Sequence, residues 1–190
     1  MRLVTTPECT TGEQSAPTVE VPAHARALDT TTDNAARWLA TLPESVVSWR
    51  PSATAWSIKE IIGHLIDSAA NNHQRFVRAE SQADLVFPGY DQDDWVRAQA
   101  YDSAPWGPLV TLWHSYNLHL ARVMATMPAS IRERRRETHN FHQIGFRTFS
   151  ADRPVTLDDL MEDYVLHLEH HLAQVRDRVR GASAAGESVT

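Results

Sequence analysis

Cysteine is almost absent. Cys9 is the only one in 190 residues, which excludes an internal disulfide. It sits in an opening stretch rich in Thr, Pro, Ser and Glu, where a catalytic thiol is not expected. Long apolar runs are missing as well. Nothing approaches the ~18–20 residues that a membrane span needs, so no membrane association is expected. The opening Met1-Arg2-Leu3-Val4-Thr5-Thr6-Pro7 has no apolar core of signal-peptide length. Together with the single cysteine this suits a cytoplasmic protein. Positive charge is in deficit. The net charge is −6 with acids and bases intermixed, so nucleic acid is not an expected partner. The one basic run, Arg132 to Arg136, is interrupted by Glu133 and followed by Glu137, and reads as a solvated loop. Internal repeats are absent too.

What the chain does have is helical periodicity. With 42% apolar residues it can build one domain with a sizeable core. Residues 1–20 read as a flexible tail, 21–181 as the domain and 182–190 as a second tail. A first helix is predicted over Pro22 to Leu42, with Pro22 in the first turn and Pro43 ending the pattern. Trp49, in the loop that follows, is expected to anchor against the bundle. Ser57 with Glu60 three residues on forms a capping box for a second helix reaching about Glu80. Its core stripe is Ile58, Ile61, Ile62, Leu65, Ile66, Ala69 and Phe76. A connection from Ala83 follows, with a short helix capped by Asp91. Trp106 to Met127 is the third long helix. Ala129 to Thr156 is long for a bundle connection, and Arg134–His139 and Gly145–Phe149 could be extended. Thr156 caps the last helix, with Asp159 in the box position and Gly181 after its end. Four long amphipathic segments without a β-meander imply an all-α bundle.

The chemistry concentrates in His167-Leu168-Glu169-His170-His171. At ~3.6 residues per turn His171 lies in the apolar stripe of the last helix, His167 on its edge and His170 well off it. His167 and His171, four apart, are stacked neighbours able to chelate one ion. On spacing alone a hydrogen-bonded core pair is the commoner arrangement, and a third ligand is needed to favour a metal. The second helix carries a polar line beside its core stripe: His64, Ser68, Asn71 and Arg75. If this line faces a cavity, His64 supplies a third ligand, and Ser68, Asn71 and Arg75 orient a substrate. Otherwise it is a hydrogen-bonded edge, with Arg75 paired to Asp67 or Glu80. Asn117 falls inside the apolar stripe of the third helix, as a structural tie or as a substrate-binding residue. His139 and His142 are rival ligands without a rigid frame. His114 and His119 point elsewhere and are expected to be exposed. Three histidines on facing helices would leave an open metal position, the arrangement of catalytic sites.

Trp56-Ser57-Ile58-Lys59-Glu60-Ile61-Ile62-Gly63-His64-Leu65-Ile66-Asp67-Ser68 resembles the second-helix signature of the DinB superfamily. Arg75-Phe76, Pro88-Gly89-Tyr90-Asp91 with Trp95, and Tyr164 with His167 to Ala173 resemble its YfiT-like branch. The likeness covers about residues 25 to 180. It implies a four-helix bundle of up-down-down-up topology, with a long connection before the last helix, and often a homodimer. It also implies a divalent metal on His64, His167 and His171, with His170 outside the ligand set. Zinc or nickel is expected first, and iron or copper would also suit imidazole. The chain departs from its relatives at His139-Asn140, where they tend to carry His-Pro. Thiol-dependent S-transferases, a thiol-dependent isomerase and metal-dependent hydrolases occur in the superfamily. The expectation is therefore transfer of a low-molecular-weight thiol to a small electrophilic substrate. The alternatives are hydrolysis by metal-activated water and a binding protein without turnover.

Overall fold

The computed structural model describes residues 20–187, with side chains to residue 185. The expected N-terminal tail, Cys9 included, lies outside them except for Glu20. In chain order the helices are α1 (Ala23–Leu39), α2 (Glu44–Val47), α3 (Ile58–Ala79), α4 (Gln92–Ala98), α5 (Trp106–Thr126), α6 (Ala129–Arg132), α7 (Phe141–Ile144) and α8 (Leu157–Glu187), with a 3-10 turn at Tyr101–Ser103. No strand forms among the described residues. Leu85–His139 and Arg136–Val155 make isolated bridges only.

α1, α3, α5 and α8 form the bundle, with α5 and α8 each packed between α1 and α3. Side-chain contacts fix the directions. Trp106 Nε1 donates to Leu39 O at 3.0 Å and His114 meets Asp33 at 2.7 Å, so α1 and α5 are antiparallel. His24 faces Asp158 at 3.5 Å and Arg176 lies over the Trp38 ring, so α1 and α8 are parallel. His64 meets His171 while Phe76 meets Tyr164, so α3 and α8 are antiparallel. The order is up, down, down, up, as expected. The parallel neighbours α3 and α5 require the chain to travel back along α3, ~33 Å at ~1.5 Å per residue. The stretch 80–105 covers that distance and carries α4.

Local chemistry explains the main boundaries. Ser57 Oγ accepts from Glu60 N at 3.4 Å while the Glu60 carboxylate accepts from Ser57 N at 2.8 Å. Thr156 and Asp159 repeat this reciprocal arrangement at the start of α8. Asp91 Oδ1 caps α4 by accepting from Asp94 N at 2.8 Å. Ile62, Leu65, Tyr164, Leu168 and Val175 are all buried between α3 and α8 or beside them. Each large apolar side chain buried this way contributes about 1.5–3 kcal/mol. Lys59, itself buried, reaches back to pair with Glu44 of α2.

Four sequence expectations need correction. α1 ends at Leu39 rather than Leu42, and Pro22 is its cap, one residue outside the first turn. Gly181 does not end α8, which continues to Glu187 and takes up most of the expected C-terminal tail. A Cβ at Gly181 would lie 2.7 Å from the Trp49 ring, so this glycine serves close packing instead of termination. Gly145–Phe149 is irregular, with α7 just before it. The basic run is not simply solvated. Arg132 is buried, donates to Met127 O at 3.1 Å and pairs with Asp158, joining the end of α5 to the start of α8. Arg136, also buried, donates to Ala79 O at 3.1 Å at the end of α3. Carbonyls left free at helix C-termini are natural acceptors for such cations.

Candidate metal centre

α3 and α8 bring His64, His167 and His171 together. His167 Nε2 lies 3.2 Å from His64 Nε2 and 3.0 Å from His171 Nε2. One nitrogen from each residue lies within 4.8 Å of the others, the only such group of three possible ligands among the described residues. Outer partners orient two of the rings. Gln174 Oε1 can only accept, so His171 Nδ1 donates to it at 2.9 Å and leaves Nε2 as a bare lone pair. His167 Nδ1 faces Ser68 Oγ at 3.3 Å. Burial pulls His64 down to about 3, helped by the His171 charge. Burial, then His171 and His64, pulls His167 down to about 2, and burial lowers His171 as well. At neutral pH all three are uncharged, the form in which imidazole ligates.

This donor set fits a divalent cation. Three neutral rings share too few protons to satisfy nitrogens that converge at 3.0 and 3.2 Å. Those separations match neighbouring ligands held at ~2.0–2.1 Å from one ion. His64, His167 and His171 would hold it. His170 is exposed and turned to Gln174 Nε2, away from the cluster. The rival histidines lie in other surroundings. His139 Nε2 meets Arg153 O at 2.9 Å and its Nδ1 accepts from Phe141 N, while His142 is exposed. Of the two expected to be exposed, His119 is, while His114 is half-buried against Asp33.

A cavity of about 360 Å³ opens beside the histidines, lined by His64, Ser68, Asn72, Arg75, Tyr164 and His167 from the bundle. The two long connections roof it with Tyr90 and Gln92 on one side and Gln143 to Phe146 on the other. Phe146 places its ring 5.5 Å from that of His167. Asp163 holds the roof down: its carboxylate accepts from Phe146 N at 2.8 Å, Arg147 N at 2.7 Å and Arg147 Nε at 3.3 Å.

Of the polar line on α3, His64, Ser68 and Arg75 reach the cavity and Asn71 does not. Its amide donates to Asp67 O at 2.9 Å. Asn72, about 80° around the helix from His64, takes the place expected for Asn71. Asn117 is not a lining residue either. Its amide donates to Trp113 O at 2.8 Å and its oxygen accepts from Tyr164 Oη, a buried tie between α5 and α8. Sequence reasoning missed Asn72, Tyr90, Phe146, Asp163 and Gln174. Gln174 was detectable from its spacing of three after His171. The others depend on how the connections fold back.

Relatives share this architecture. YfiT of Bacillus subtilis (strain 168) is 26% identical over 125 residues, covering 66% of this chain. The chain spans 65% of that relative's length. The solved structure of YfiT, described as a probable metal-dependent hydrolase with an unusual four-helix bundle topology, is similar with a TM-score of 0.68 and 17% identity. That likeness covers 89% of this chain and 94% of the other, and it concerns the fold. The DinB superfamily model matches residues 27–175, a span that starts in α1, ends in α8 and includes all three histidines; the chain belongs to the DinB superfamily.

Proposed function

We propose that this chain is a metal-dependent enzyme that directs a low-molecular-weight thiol onto a small electrophilic substrate in the cavity beside His64, His167 and His171. One observation carries the choice of a thiol. Asp163 is the only acid among the cavity-lining residues, and its oxygens are engaged by Phe146 N, Arg147 N and Arg147 Nε. No carboxylate on the wall is therefore free to act as a general base. A divalent ion held by His64, His167 and His171 would supply Lewis acidity, which acidifies a thiol more fully than it acidifies water. A nucleophile that needs no protein base is favoured. No cysteine lines the cavity, so the thiol arrives as a cosubstrate.

The chain's own residues prepare the site. Ser68 and Gln174 hold the His167 and His171 rings in orientation. The Tyr90 phenol, pushed up to about 12 by burial and the nearby Asp67, stays protonated and offers a hydrogen-bond donor. Phe146 narrows the mouth. A volume of about 360 Å³ suits a small molecule. Zinc or nickel is the first choice of ion for an all-imidazole set, and iron or copper is compatible with it. Hydrolysis is the second reading, favoured by the description of YfiT. The test is metal analysis of the purified chain, followed by turnover of small electrophiles with and without added thiols. Turnover should require the thiol and vanish in His64→Ala. Steady metal-dependent turnover that ignores added thiol would establish hydrolysis instead.

A further inference from the structure

The far end of the same cavity holds a cation without a counter-ion. Arg75 is 6% exposed. Its guanidinium donates to Pro88 O at 3.2 Å and to Asn72 Oδ1 at 3.4 Å, both neutral acceptors. Its Nε is buried with no partner. Two of five N–H donors are thus used. Neither acid expected as its structural partner serves: Asp67 Oδ1 accepts from Tyr101 Oη and Gln99 Nε2, and Arg75 forms no ion pair with Asp67 or Glu80. Asp163 lies near enough to act on Arg75 electrostatically, but its oxygens are spent on the roof. A buried guanidinium with unspent donors facing a cavity is costly unless an anion completes it.

We infer that Arg75 binds a carboxylate group of the substrate or cosubstrate, with Asn72 holding the guanidinium in place. This names the ligand class for the function proposed above and rests on that reading for the ligand's being a reactant. The planar fork matches a carboxylate bidentately. A single cation with Asp163 close by favours a monoanion over a phosphate dianion. Arg75 lies eleven residues beyond His64, ~16 Å along α3, so an anchored ligand extends along the cavity toward the histidines. The Tyr90, Ile144, Phe146 and Leu160 side chains give the cavity apolar wall.

Calorimetry with benzoate, its neutral counterpart benzamide and inorganic phosphate tests this on the full chain, both metal-free and zinc-loaded. The metal-free chain should bind benzoate at least tenfold more tightly than benzamide. Arg75→Gln should erase that preference, and Arg75→Lys should retain part of it, since charge survives and the fork does not. His64→Ala should keep the preference, which separates this anchor from the metal reading. Equal affinities for benzoate and benzamide, a preference that survives in Arg75→Gln, or no benzoate binding would each overturn the inference. Phosphate binding as tight as benzoate would overturn the carboxylate class. Failure of the zinc-loaded chain to turn over any electrophile, with the benzoate preference intact, would count against the proposed function alone.

Discussion

His170 and His171 are chain neighbours with opposite surroundings, and a helix explains the difference. One step of ~100° carries the ring from the exposed face to the histidine cluster between α3 and α8. His171→Ala should therefore lose metal on dialysis, as measured by elemental analysis, while His170→Ala retains it. Equal loss in both would show that the ion sits elsewhere. Asp67, one turn past His64, gives a second residue-scale prediction. Its carboxyl is buried, Oδ2 lacks a partner, and burial raises its pKa despite hydrogen bonds from Tyr101 and Gln99. A carboxyl whose pKa is higher folded than unfolded contributes full stability below the unfolded value and loses it as pH rises through the folded value. Asp67→Asn, which can still accept from Tyr101, should melt at or above the wild-type temperature at pH 7.5. The margin should shrink toward pH 3–4, where the native carboxyl is neutral. A variant that melts lower at pH 7.5 would show that the charge itself is needed.

At the scale of elements, the caps and stripes were readable because they are local. Ser57 and Glu60, or Thr156 and Asp159, lie three residues apart, and the sequence carries both halves of each box. Ser57→Ala should cost about 1 kcal/mol in urea unfolding. The features that escaped reading are contacts between distant segments. Asn71 and Asn72 differ by one step around α3, and only the position of the cavity decides which faces it. Gly181 looks like a stop signal, yet the Trp49 ring rests against it. Arg132 and Arg136 look solvated until the helix ends they cap are brought together. Gly63 belongs with these. A Cβ there would lie 2.1 Å from the Tyr101 ring, beside His64. Gly63→Ala should destabilise by roughly 1–3 kcal/mol, as overpacking does, and should weaken metal retention by displacing the neighbouring ring. Unchanged unfolding would mean that the 3-10 turn can move aside freely.

For the molecule as a whole, the antiparallel contact of α3 with α8 places His64 and His167, 103 residues apart in sequence, side by side. That pairing was readable from helix faces and from resemblance. The walls of the cavity were not, because residues 80–105 and 127–156 obey no period. No helix among the described residues is long and apolar enough to cross a membrane. The Lys59–Glu44 pair has a practical consequence. Lys59 is the sole lysine in the sequence, and its side chain is 5% exposed. Lysine-reactive dyes therefore find almost no lysine surface on the native molecule. A succinimidyl ester should leave Lys59 unlabelled in the folded chain. A label on Lys59 should appear at the rate at which α2 lifts from α3 or the whole bundle opens. Mass spectrometry of the labelled chain would then time that opening without any engineered reporter. Rapid modification of Lys59 under native conditions would mean that α2 is far more loosely held than its ion pair implies.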